Sequence, residues 1–88
     1  MKFIIYQPQQ DDYLIKQDDQ REAYVLSWHP YPKYALQFDN FDDVKRIAQR
    51  ICDHKGYRLL ICELSETDTQ FRVDEVAEVI PRNDPNLN

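Results

Sequence analysis

Glycine is the scarcest structural resource in this chain: 88 residues contain one, Gly56. That count excludes every glycine-built phosphate cradle, because G-x-x-x-x-G-K-[ST] and G-x-G-x-x-G need two or three glycines to bring backbone amides against an anion. It excludes the G-x-S-x-G nucleophile elbow for the same reason. Cysteine is nearly as sparse. Cys52 and Cys62 are the only two, too few for the disulfide framework of a small secreted domain. Both fall at apolar-face positions, and we read them as reduced, buried thiols. There are two serines, Ser27 and Ser65, and two histidines, His29 and His54. Ser27 and His29 share a strand face, but no orienting acid accompanies them. We therefore expect a protein that is not an enzyme and carries no cofactor.

A basic excess is also missing. The formal charge is −5, and the first forty-four residues hold four basic and eight acidic side chains. Such a balance argues against direct binding to nucleic acid phosphates or to an anionic membrane. The apolar stretch after Met1-Lys2 is too short for a signal peptide. No run approaches the roughly 20 residues of a membrane span. These features lead us to expect a cytoplasmic protein with no membrane partner.

What remains is globular in composition, with 42% hydrophobic and 12% aromatic residues, enough to bury a modest core in one domain. Phe3–Tyr6, Tyr13–Lys16 and Ala23–Trp28 read as strands, being short, β-branched and aromatic between polar turns. The turns fall at Gln9–Asp12 and Gln17–Arg21. His29-Pro30-Tyr31-Pro32-Lys33 cannot lie inside a sheet, since two prolines remove ladder donors. Tyr34–Phe38 alternates and reads as a short strand or an extended lead-in.

The helix has the clearest signature. Phe41, Val44, Ile47, Ala48, Ile51 and Cys52 fall within about 140° of a helical wheel. Asp39 or Asn40 can cap its first turn, Asp42 and Asp43 suit the positive end of its dipole, and His54 and Lys55 the negative end. Gly56 supplies the left-handed residue that stops it. Tyr57–Leu64 is apolar on both parities, as in a central strand covered on both faces. In Gln70–Ile80 the β-branched residues favour a strand with a bulge near Asp74-Glu75 over a helix.

The expected fold is therefore α+β. It is an antiparallel sheet of about five strands with one amphipathic helix packed on one face, in the order β-β-β-(β)-α-β-β, over residues 1–80. Residues 81–88 form a polar, flexible tail. The expected core is Phe3, Ile5, Leu36, Phe38, Val44, Ile47, Ile51, Leu60, Cys62 and Phe71, with parts of Tyr13–Ile15 and Tyr24–Leu26.

Trp28-His29-Pro30-Tyr31-Pro32-Lys33-Tyr34 is the segment most suggestive of function. It joins the only Trp to two tyrosines on a backbone stiffened by proline. Large aromatics give contact area at small entropy cost, and rigidity lowers the cost of binding. Trp28, His29, Tyr31 and Tyr34 are thus the candidate site of a small, non-catalytic protein-interaction module, acting on a protein partner or on a second copy of itself. The alternative is an acidic inhibitor of phage type that mimics nucleic acid phosphates. The aspartates at 11–12, 18–19 and 39, 42 and 43 motivate it, although turns and a helix N-terminus account for their positions. A calcium loop is excluded by spacing. Zinc is excluded because Cys52 and His54, two apart on a helix, diverge by about 200°.

Overall fold

A computed structural model describes residues 1–20, 23–67 and 70–82. Five strands form one antiparallel sheet: β1 (Lys2–Gln7), β2 (Asp12–Gln20), β3 (Ala23–His29), β4 (Leu59–Glu66) and β5 (Phe71–Val79), in the spatial order β3-β2-β1-β4-β5. One helix, α1 (Phe41–Lys55), packs against β1, β4 and β5. The architecture is the α+β arrangement that the alternation of apolar residues predicts.

The helix ends where its capping residues dictate. Asn40 Oδ1 accepts from the amides of Asp42, at 2.8 Å, and Asp43, at 3.2 Å. Two first-turn donors that have no partner inside the helix are satisfied in this way. At the other end Gly56 sits at φ 74°, ψ 19°, and its amide donates to the Cys52 carbonyl at 2.8 Å. The inward face buries Val44, Ala48, Ile51 and Cys52 against Phe3, Ile5, Leu14, Leu59, Ile61 and Val79.

The sheet is apolar on its other face as well. Ile4, Leu60, Cys62 and Leu64 are buried there with Ala35, and Tyr6, Tyr13 and Val73 pack around them. The adjacent Ile4 and Ile5 serve opposite faces of the central strand, and both are fully buried. Among the described residues no second α-helix covers this face. The connection between β3 and α1 runs over it instead, placing a 3-10 turn, Pro32–Tyr34, in contact with both β2 and β5.

The sheet contains a seam. β1 and β2 pair only at Tyr6↔Tyr13 and Gln7↔Asp12. Beyond Leu14 the strand β2 leaves β1, with Ile15 as the extra residue in its pairing with β3. Residues 36–38 fill the gap. Leu36 donates its amide to the Leu14 carbonyl at 2.8 Å, while Phe3 and Phe38 exchange amide–carbonyl bonds at 2.8 and 2.9 Å. Of the two readings of Tyr34–Phe38, the extended lead-in fits: no strand forms, and a single bridge at Phe38 closes an opening in the ladder.

Other boundaries also move. Gln17–Gln20 is strand, not turn, and pairing runs out to Gln20↔Ala23; cross-strand hydrogen bonding overrides the weak β propensity of Asp and Gln. Arg21, the last residue of the expected Gln17–Arg21 turn, lies with residues 22, 68 and 69 outside the described residues. Gln70–Ile80 contains a strand, and its register shift leaves Val76 as the extra residue, because Ile61 pairs with Ala77 and Cys62 with Glu75. Phe71, expected in the core, is 38% exposed at the start of an edge strand. Leu36, Phe38 and Ile47 are partly buried around the helix-side core. Leu60 and Cys62 are buried on the face away from the helix.

Two residues of the expected tail, Pro81 and Arg82, lie within the described residues. The Arg82 amide donates to Asp53 Oδ1 at 2.8 Å, and its guanidinium donates to Oδ2 from Nε at 3.1 Å and Nη2 at 2.8 Å. Gln49 Nε2 joins Asp53 Oδ1, at 3.0 Å, to the Ile80 carbonyl, at 2.8 Å. This clamp fixes the chain to α1 as far as Arg82; residues 83–88 lie outside the described set.

Candidate interaction surface

Strand parity divides the predicted site. Trp28 pairs across the ladder with Leu14 and His29 with Tyr13, so successive residues face opposite sides of the sheet. Trp28 joins the helix-side core, half-buried, with its ring edge-on to Tyr57 at 6.1 Å. His29 turns to the other face, and there the chain brings Tyr31 and Tyr34 to it.

The two prolines set that geometry. Tyr31, between them, is extended at φ −99°, ψ 126°, and Pro32 opens the 3-10 turn, where a missing amide costs nothing. The turn closes through Tyr34 N to Tyr31 O at 3.2 Å and Ala35 N to Pro32 O at 3.0 Å. Ala35 anchors it by inserting into the second-face core. His29 then meets Tyr34 at 4.7 Å and Tyr31 at 5.3 Å, both edge-on. The tyrosine rings lie 6.5 Å apart. These are favourable aromatic geometries. His29 Nδ1 accepts the Tyr31 amide at 3.1 Å, which orients the ring. Lys33 Nζ lies 4.9 Å from the Tyr34 ring centroid, a cation–π contact.

Despite this ordering, Tyr31 is 59% exposed and Tyr34 51%. Two large rings are thus held rigidly in solvent. The structure brings together three of the four predicted residues, His29, Tyr31 and Tyr34, and separates Trp28 from them.

Two residues that the sequence reading placed only in strands extend the surface. Tyr13 is the cross-strand partner of both His29 and Tyr6, and the rings of Tyr6 and Tyr13 lie 4.9 Å apart. A band of rings therefore crosses β1, β2, β3 and the turn. The shared parity of Tyr6, Tyr13 and His29 is the signal, readable only once the register is known. At the β1 end Tyr6 Oη donates to Asp11 Oδ1. That bond, helped by burial, pushes the phenol up to about 12. Asp11 takes φ 55° in the intervening turn, a conformation Asp tolerates. Next to it, Asp12 Oδ1 is closed off from solvent and has no hydrogen-bond partner. Burial, followed by the Asp11 charge, raises its carboxyl above the ordinary value.

Elsewhere among the described residues the exposed large apolar side chains are Met1, Phe71, Val76 and Ile80, set among polar groups. A shallow groove of about 480 Å³ runs along the outer face of α1, lined by Asp42, Lys45, Arg46, Gln49, Arg50 and Arg82. Arg46 bonds Asp43 at 3.2 Å. Among the described residues no three His, Cys, Asp or Glu side chains are placed to hold a metal ion, and no helix is long and apolar enough to cross a membrane. The chain matches no protein-family model, no curated protein and no solved structure.

Proposed function

We propose that this chain is a small, non-catalytic protein-interaction module, and that it engages its protein partner through the His29–Tyr31–Tyr34 surface. One observation carries the reading: two tyrosines more than half exposed are locked into a ring cluster by proline-stiffened backbone. A surface ordered before binding keeps more of its contact energy, and exposed Tyr side chains are common binding anchors. The acidic-mimic alternative has thinner support. Asp39, Asp43, Asp53, Asp74 and Glu78 each pair with a cation on the surface, so their field is locally neutralised.

Site-specific photo-crosslinking tests the reading. A photoreactive phenylalanine analogue replaces Tyr31 or Tyr34 in the native cell, with Arg72, on the far edge of the sheet, as control. A discrete crosslinked protein at both tyrosine positions, absent at position 72, is the expected result. No product at either tyrosine, or the same products at all three positions, overturns it.

A further inference from the structure

The two edges of the sheet are built differently. β5 carries four charged residues in nine, Arg72, Asp74, Glu75 and Glu78, and a bulge at Val76. Just beyond it come Pro81 and the Asp53–Arg82 clamp. Charge, bulge and proline are the devices by which an edge strand resists pairing with another chain. β3, at the opposite edge, has neither charge nor bulge along its length, although Pro30 follows it directly. Ala23-Tyr24-Val25-Leu26-Ser27-Trp28-His29 contains no Asp, Glu, Lys, Arg or Pro, and the irregularity in its pairing with β2 puts the extra residue in β2.

The layer above this edge is also incomplete. α1 packs mainly on β1, β4 and β5, so among the described residues the β3 end of the helix-side face is the less covered by helix. Leu26 and Trp28 lie there half-buried, with Tyr57 against Trp28. An uncharged, regular edge thus adjoins apolar side chains that the protomer itself does not finish covering.

We infer that β3 pairs antiparallel with β3 of a second copy of this chain, forming a continuous ten-stranded sheet across a two-fold axis. A second copy fits because an antiparallel strand edge is complementary to itself under two-fold rotation. Centring the axis on Leu26 engages all seven residues. Leu26 then opposes Leu26, Ser27 opposes Val25, and Trp28 opposes Tyr24 of the other copy, so no like charges meet. The same operation on β5 would set its net negative strand against itself. Leu26 and Trp28 gain cover from the neighbouring protomer. Seven residues span only about 24 Å of edge, well short of the roughly 800 Å² per partner of a standard interface. The dimer therefore belongs to the weak, reversible class. This surface shares only the backbone of His29 with the ring cluster, whose side chains lie on the opposite sheet face, and does not depend on the function proposed above.

The test is sedimentation equilibrium from low micromolar to near-millimolar protein, with amide hydrogen exchange followed over the same range. Monomer should convert reversibly to dimer, and the amides between Leu26 and His29 that point away from β2 should exchange more slowly as concentration rises. Ser27→Lys, at a polar position, installs the missing edge charge. It should weaken association at least tenfold while leaving the circular dichroism spectrum and monomer melting unchanged. Ala23→Lys, at the strand end, should act in the same direction and serves if Ser27→Lys does not fold. Tyr31→Ala/Tyr34→Ala should leave association unchanged. A monomer at every concentration overturns the inference. So does a dimer whose β3 amides ignore concentration, or one that the tyrosine variant abolishes and the lysine variants do not.

Discussion

Replacing Gly56 isolates one physical term, because the structure removes the usual competitor. A Cβ built at this position meets no heavy atom within 4 Å, while the backbone stands at φ +74°. Crowding therefore contributes nothing, and any loss measures the left-handed backbone alone. That conformation costs an L-residue roughly 1–2 kcal/mol. Ala also restricts the unfolded chain, which offsets about 0.4–1 kcal/mol, so Gly56→Ala should cost about 1 kcal/mol. Val is branched at Cβ and tolerates positive φ least; Gly56→Val should cost about 2 kcal/mol. Asn, which visits the left-handed region through local hydrogen bonding, should fall below Ala. For a domain of this size each kcal/mol lowers Tm by about 4–8 °C. Thermal and urea unfolding of the three variants should therefore rank Asn, Ala, Val in increasing damage. A Val variant as stable as the parent, or an Asn variant as damaged as Val, would refute the assignment of Gly56 as a strain-free left-handed stop.

The remaining expectations concern the core, the thiols and the clamp. Ile51 is fully buried and Ile47 only partly, so Ile51→Ala should cost about 2–5 kcal/mol in urea unfolding and Ile47→Ala distinctly less; equal losses would mean the helix sits rotated from the position described. Burial pushes both thiols up to about 11 from 9.0, so native Cys52 and Cys62 should label slowly with a thiol reagent at neutral pH and quickly in denaturant. Because the unfolded thiols lose their protons first, this contribution to stability is whole below about pH 9 and drains away toward pH 11; Cys52→Ala should flatten that alkaline limb in pH-dependent unfolding. Asp53 is held below the ordinary carboxylate range, chiefly by the Arg82 amide and then by its guanidinium. Its stabilising effect is present above that range and lost as pH falls through the lowered value, so Asp53→Asn should reduce acid sensitivity and free Arg82, seen as faster exchange of the Arg82 amide.

The parts of this fold visible in the chain are those in which a local pattern has one physical solution. Asn40, the apolar stripe from Phe41 to Cys52 and Gly56 define a helix without reference to anything else, and α1 begins and ends on those residues. The two-sided apolar run around Leu59–Leu64 marks a central strand because only full cover on both faces tolerates it. What was hidden depends on partners distant in sequence. Gln17–Gln20 looks like a turn until Ala23 onward is laid beside it. Ile4 and Ile5 cannot be assigned to faces until the helix is known to cover only one. The same holds for the candidate surface. The prolines and tyrosines announced an aromatic segment, but Trp28 and His29 are adjacent in sequence and opposite in space. Their division, and the addition of Tyr6 and Tyr13, follows from register, which no single strand contains.

The seam between β1 and β2 sets the order in which the molecule can be closed. Two hairpins, β2–β3 and β4–β5, need only their own residues to form. β1 touches both, yet its link to β2 is two residue pairs long, and the rest of that boundary is closed by Leu36 and Phe38 from the middle of the chain. The sheet is therefore two plates and a keystone. Opening need not start at an outer edge; withdrawing three residues at the centre leaves the plates joined only by the two β1–β2 pairs and the core around Leu14, while each remains internally hydrogen-bonded. The short stretch that, read alone, is the least regular part of the sequence thus ties the two hairpins together.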